Sequence, residues 1–286
     1  MTQDSPWFEP GRHHDVWKEW RRIGRGREEQ FFLEHRHAVL ESLRGHHPPE
    51  QVLLSKELFN SEPEFWTGLA RGVPSVGWFL LETERMNQVT SVSSSSGLCA
   101  VFSPRPAKLP ELSDLRFVLV LWEIADPGNL GTLIRAARSL CRAGVLVVGG
   151  CSAWSSKVAR ASAGSLMNTV VASVPLAQGV ASLQALRETG FALHHAVPRG
   201  GQSVLQTKWS GKDAVVLGNE SRGLPTEVEG LGRPFTIPSA PEVESLNVAM
   251  SGSILAWEWA REFPLTDIMG TSEDPVEEEG ERAFPG

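Results

Sequence analysis

From Phe117 onward the chain repeats one pattern: a short apolar run, a polar turn, then a segment with apolar residues at helical spacing. The runs are FVLVLW, GVLVVGG, TVVASVPL, FALHHAV, AVVLGNE and PFTIPS. Helical patterns stand over 129–142, in SSKVARASAGSLMN, in GVASLQALRETG and in the closing SLNVAMSGSILAWEWAREF. Runs that are apolar at nearly every position suit strands covered on both faces. Their alternation with helices implies a largely parallel sheet, an α/β fold. In such sheets ligands sit beyond the carboxyl ends of the strands. Chemistry is therefore expected in the turns after FVLVLW, FALHHAV, AVVLGNE and PFTIPS.

A chain of 286 residues has room for a second domain ahead of this one. Residues 30–103 alternate helix-like and strand-like segments, with the serine run SVSSSSG as a loop inside them. The proline-rich SPRPAKLPELSD follows as a linker. The expected division is a basic arm at 1–29, a smaller α/β domain at 30–103, a linker at 104–113, the parallel-sheet domain at 114–263 and an acidic tail at 264–286.

Charge is unevenly spread. The net charge is −7, and six acids against Arg282 from Glu273 onward account for −5 of it, as in a solvated tail. The segment GRHHDVWKEWRRIGRGR carries Arg12, Lys18, Arg21, Arg22, Arg25 and Arg27 against two acids, with Val16, Trp20 and Ile23 as an apolar stripe. It reads either as a surface helix docked by its tryptophans or as an arm laid on phosphates.

No apolar run approaches the roughly 18 residues of a membrane helix. The polar start, with Trp7 and Phe8 isolated among charges, does not resemble a secretory signal. Cys99, Cys141 and Cys151 lack metal-ligand spacing and read as reduced thiols of a cytoplasmic protein. The pairs His13/His14, His46/His47 and His194/His195 are adjacent, which directs their rings apart, so no metal is expected. DPGNLGTL lacks the Gly-Lys-Ser/Thr ending of a phosphate loop, and no G-x-G-x-x-G follows a strand.

Three turns carry the candidates. In the first, Asn129 precedes Arg135, and Gly131 lies four residues before Arg135 on the same side of the helix, leaving room beside the guanidinium. This reads equally as a capped surface helix or as an anion site. The second, LGNESRGLP, puts Gly218, Asn219 and Glu220 at a strand end, where Gly218 permits a ligand to approach the backbone. The third has Ser245 as the expected helix cap, Asn247 in the first turn, and Leu246, Met250, Ile254 and Trp257 down one face.

Together these segments resemble the SpoU (TrmH-like) family of RNA 2′-O-methyltransferases of the SPOUT superfamily. Asn129 and Arg135 match its first motif, Gly218, Asn219, Glu220 and Gly223 its second, and Ile237, Pro238, Ser245, Leu246, Asn247 and Val248 its third. The first domain is weakly similar to the family's ribosomal-protein-like RNA-binding module.

The resemblance implies a C-terminal trefoil knot and a pocket for S-adenosylmethionine at Gly218, Ile237 and Leu246, with a further candidate wall near Val197. It also implies a homodimer whose active site forms at the interface. Arg135 would hold the target phosphate and stabilise the developing alkoxide, because a guanidinium is always protonated and is no base. Asn129, Ser245 and Asn247 would orient Arg135 and the ribose, and Glu220 would anchor the loops. The implied reaction is methyl transfer to a ribose 2′-hydroxyl, with ribosomal RNA as the first target. Transfer RNA, or a catalytically silent RNA-binding protein, are the alternatives.

Overall fold

A computed structural model describes residues 5–11, 14–26, 29–44, 48–90, 97–240, 242 and 244–265. Two sheets divide the molecule. The first half contains β1 (Trp7–Phe8), α1 (Val16–Gly24), β2 (Phe31–Leu33), α2 (Arg36–Arg44), β3 (Gln51–Ser55), α3 (Lys56–Ser61), α4 (Pro63–Gly72), β4 (Gly77–Leu81), α5 (Thr83–Val89) and β5 (Leu98–Phe102). Its five strands form a mixed sheet in the order β1-β4-β3-β5-β2.

The second half contains β6 (Phe117–Trp122), α6 (Pro127–Ala136), β7 (Gly144–Val148), α7 (Ser156–Ala161), β8 (Val171–Val174), α8 (Gly179–Glu188), β9 (Ala192–Ala196), β10 (Gln202–Ser203), β11 (Asp213–Leu217), α9 (Thr226–Glu229), β12 (Arg233–Thr236) and α10 (Val248–Glu262). The order β10-β12-β9-β11-β6-β7-β8 is parallel at every pairing. The strands β6, β7 and β11 are buried throughout, as their unbroken apolar runs require.

The division expected from the sequence changes at both ends of the first domain. Within 1–29, Trp7 and Phe8 add β1 to the sheet edge beside β4. Helix α1 buries Trp17, Trp20 and Ile23 against Phe32, Leu53 and Met86, so its apolar stripe runs through Trp17 rather than Val16. Trp20 Nε1 donates to Gln51 Oε1 at 2.6 Å, which fixes the helix on the sheet. This segment is part of the folded domain and not a free arm. Arg12, Arg27 and the serines at 91–96 lie outside the described residues, as does the acidic tail beyond 265.

The proline-rich linker is not loose either. Residues Leu109–Asp114 form a 3-10 helix that buries Leu112 in the core beneath the second sheet, and Ala107 bridges Ala172. The halves also meet directly. Phe32 N donates to Ser156 Oγ at 3.0 Å, and one continuous apolar cluster runs from Phe31, Val52 and Trp66 to Leu130 and Leu255.

Three helices depart from the expected pattern. The pattern at 129–142 starts earlier, at Pro127, because Asp126 Oδ1 accepts from Asn129 N at 2.7 Å; it loosens into a π turn over Ala137–Cys141. The helix expected through SSKVARASAGSLMN stops at Ala161, since Ala163 and Gly164 take left-handed φ values of 48° and 85°.

The third departure concerns α10. Its buried face is Val248, Ala249, Gly252, Leu255, Ala256 and Trp259, whereas Met250 and Trp257 are 54% and 55% exposed. Met250 and Trp257, on the face that stands out in the sequence, point outward. Small residues and Trp259 face inward, where α10 lies close against α6 and the sheet.

Candidate active site

At the carboxyl ends of β9, β11 and β12 lies a cavity of about 460 Å³. That is within the size range of small-molecule sites, roughly 300–1,000 Å³. Leu217, Phe235, Ile237, Leu246 and Val248 give it an apolar side. Glu220, Arg222, Glu229, Glu244 and Ser245 give it a polar one. Gly218, Glu220, Ile237, Ser245 and Leu246 were all expected at the site and all line this cavity, together with Val197. A flat heterocycle with a charged arm fits such a divided wall, so the residues present suit S-adenosylmethionine.

Beside it the three motifs are joined by one chain of hydrogen bonds. Asn247 Oδ1 accepts from Ala249 N and Met250 N at 2.9 and 3.2 Å, capping α10. That capping leaves the Asn247 amide nitrogen to donate to Asn129 Oδ1 at 3.1 Å. Asn129 Nδ2 in turn donates to Glu220 Oε1 at 2.7 Å. Each amide orientation is dictated by its neighbour: backbone N–H groups demand the oxygen of Asn247, and a carboxylate demands the nitrogen of Asn129. The cap is therefore Asn247 and not Ser245, and Asn247 precedes the helix instead of lying within its first turn.

The second motif folds back on itself. Asn219 Oδ1 accepts from Ser221 N and Arg222 N, and Gly223 N donates to the Asn219 carbonyl. A Cβ on Gly218 would stand 2.8 Å from the carbonyl carbon of Gly223. The glycine at the strand end is thus required by the loop's own backbone.

Gly131 is corrected in the same way. A Cβ there would meet Ala161 Cβ at 2.5 Å and Val158 O at 2.8 Å, so it lets α6 lie against α7 and opens no space for Arg135. Arg135 itself is exposed, in the last turn of α6, and its side chain makes no hydrogen bond or ion pair with the described residues. Six residues beyond Asn129, it stands about 9 Å further along the helix axis, outside the cavity.

Two further residues, one beside the site and one at the opposite end of the sheet, had no mark in the sequence. Glu123, directly after β6, adopts φ 52°; its carbonyl accepts from Asn219 Nδ2 at 2.9 Å and its carboxylate pairs with Arg222 at 3.2 Å. Asp213, fully buried at the start of β11, accepts from His194 Nε2, Trp259 Nε1, Ser210 N and Gly211 N. It ties α10 to the sheet far from the cavity. Among the described residues no three His, Cys, Asp or Glu side chains are grouped to hold a metal ion.

Residues 116–257 match the sequence profile of the SpoU rRNA methylase family. An uncharacterised tRNA/rRNA methyltransferase of Synechocystis is 30% identical over 200 residues, covering 66% of this chain and 71% of the relative. The chain belongs to the SpoU rRNA methylase family. It is an RNA methyltransferase.

Within that family, the 23S rRNA (guanosine(2553)-2′-O)-methyltransferase RlmP of Bacillus subtilis is 28% identical over 250 residues, 84% of this chain and 94% of its own. The AdoMet-bound rRNA methyltransferase of Sinorhizobium meliloti has the same fold, with a TM-score of 0.76 over 90% of this chain and 98% of that one at 21% identity. The likeness in fold thus extends over both sheets, beyond the stretch that the profile matches.

Proposed function

We propose that this SpoU-family enzyme carries a methyl group from S-adenosylmethionine to a ribose 2′-hydroxyl of ribosomal RNA. One observation carries the reading: Glu220 both lines the cavity and closes the hydrogen-bond chain through Asn129 to Asn247. Donor site and ribose site are thereby neighbours. The bound sulfonium supplies a methyl group already activated for transfer.

The protein's own part is placement and electrostatics. Asn129, Asn247 and Ser245 orient the target ribose, and Glu220 holds the first and second motifs together. Arg135 supplies a planar cationic fork for the phosphate and the developing alkoxide. It accepts no proton; the RNA phosphate or a water does so.

Arg135 reaches the reaction from a second copy of the chain. Two features support a homodimer with the site at its interface. The Arg135 side chain has no partner among the described residues of its own chain, and α10 turns Met250 and Trp257 outward with Ile254 half-buried between them. The knotted passage of the C-terminal segment belongs to the same reading, supported by residues 218–224 bordering one cavity with Ile237, Ser239, Ser245 and Leu246. Ribosomal RNA is favoured because a whole five-stranded domain, suited to holding a large RNA, precedes the catalytic one.

Mapping ribose methylations in total RNA from cells with and without this chain tests the target. Loss of one 2′-O-methyl mark in ribosomal RNA is expected. Loss in transfer RNA instead would move the target, and no change in any RNA would leave the silent RNA-binding alternative.

A further inference from the structure

Glu123 stands where the backbone turns through φ 52°, one of three non-glycine residues at positive φ among those described. Such a conformation is costly for a residue with a Cβ and persists where its surroundings demand it. Here three contacts do so. Its N–H donates to Val148 O at 2.8 Å, its carbonyl accepts from Asn219, and its carboxylate meets Arg222 Nη2 at 3.2 Å. The loop at 219–223 hangs from this one residue by a neutral bond and an ionic one.

Arg222 is the one cation among the described residues lining the cavity, against the carboxylates of Glu220, Glu229 and Glu244. It is 71% exposed, while Glu123 is only 20% exposed, so the carboxylate is the enclosed partner and the guanidinium the one that faces solvent. The contact with Glu123 is an ion pair, and guanidinium N–H groups remain for an anion at the cavity rim.

We propose that Glu123 is a positioning residue for donor binding: it holds Arg222 at the rim, where the guanidinium meets the carboxylate of the donor's amino-acid arm. The inference rests on the cavity being the S-adenosylmethionine site. Without Glu123, Arg222 swings into solvent, and the cavity keeps three acids with no cation to receive that carboxylate.

The test is calorimetric affinity of the full chain for S-adenosylmethionine and for its decarboxylated analogue. Wild type is compared with Glu123→Gln, Glu123→Gly, Arg222→Gln and the Glu123→Gln/Arg222→Gln double variant. Wild type should prefer the carboxylate-bearing donor. Each single variant should weaken that donor by about three- to fivefold, the scale of a partly exposed ion pair, and leave the analogue unchanged.

The double variant should be no worse than Arg222→Gln alone, because the two residues act through one contact. Glu123→Gly suits the positive φ, so it should lose donor preference while keeping the melting temperature. An unaltered preference in Glu123→Gln and Arg222→Gln, or losses that simply add, would overturn the inference. A wild-type chain that binds neither compound would overturn the donor-site reading with it.

Discussion

Asn129 and Asn247, 118 positions apart, meet through an amide hydrogen bond of 3.1 Å that joins the start of α6 to the cap of α10. The same Asn247 oxygen satisfies two backbone N–H groups of α10, so capping and site assembly are done by one side chain. These two tasks separate chemically. Asn247→Asp keeps the capping oxygens and loses the N–H that Asn129 accepts. Its melting temperature should stay near wild type while methyl transfer falls at least tenfold. Asn247→Ala should lose both, with about 1 kcal/mol of stability gone. Thermal melts beside a transfer assay check the pair, and full activity in Asn247→Asp would refute the orienting role.

Arg135→Ala should lower transfer by roughly 10²–10³-fold, the usual cost of removing one preorganised donor from a charge-developing site. Donor affinity should hold, since Arg135 is not in the cavity wall. Arg135→Lys should also be poor, because a point charge does not reproduce the planar fork. Single-turnover assays with calorimetry of the donor distinguish these outcomes. Weakened donor binding in Arg135→Ala would place the side chain in the wrong role.

Trp257→Glu puts a charge in the exposed stripe of α10, where the wild-type indole is 55% exposed. Sedimentation should show a shift from dimer to monomer. Transfer should fall with it, while the donor cavity, lined by a single chain, keeps its affinity. A variant that remains dimeric and active would remove α10 from the interface.

Acid should weaken the fold in two stages. Burial depresses His195 below the usual imidazole value of 6.5, with Glu229 opposing and His194 reinforcing. For Asp213, burial alone would raise the carboxyl above 3.8. The hydrogen bonds from His194, Ser210 and Trp259 outweigh it and hold the group lower. Both folded-state values lie below the unfolded ones, so in acid the unfolded chain binds more protons. The contribution of His195 is present above about pH 6.5 and declines below it; that of Asp213 is lost only as pH drops below the ordinary carboxylate range. Melting temperature against pH should therefore begin to fall near 6.5 and steepen near 4, and His195→Gln should flatten the first stage. A profile unchanged by that substitution would exclude His195 as its cause.

The sequence by itself determined the parallel-sheet class and the strands β6, β7, β9 and β11, because residues buried on both faces must be apolar at nearly every position. The resemblance to the SpoU motifs marked Asn129, Arg135, Glu220, Ser245 and Asn247, which local pattern alone left as caps, turn residues and a surface arginine. What α10 buries, what Gly131 and Gly218 make room for, and where α1 lies depended on close approach between segments far apart in the chain. A helix with apolar residues on two faces does not say which face has a neighbour. Met250 and Trp257 have the stronger hydrophobic signal, yet the smaller Ala249, Gly252 and Ala256 were buried because they let α10 come close to α6. Glu123 and Asp213 left no trace in local pattern. Their roles come from partners found only in three dimensions, across 96 positions from Glu123 to Asn219 and 46 from Asp213 to Trp259. A hydrogen bond or ion pair depends on geometry that spacing along the chain does not encode, and so the tertiary structure alone decided which polar residues meet at this site.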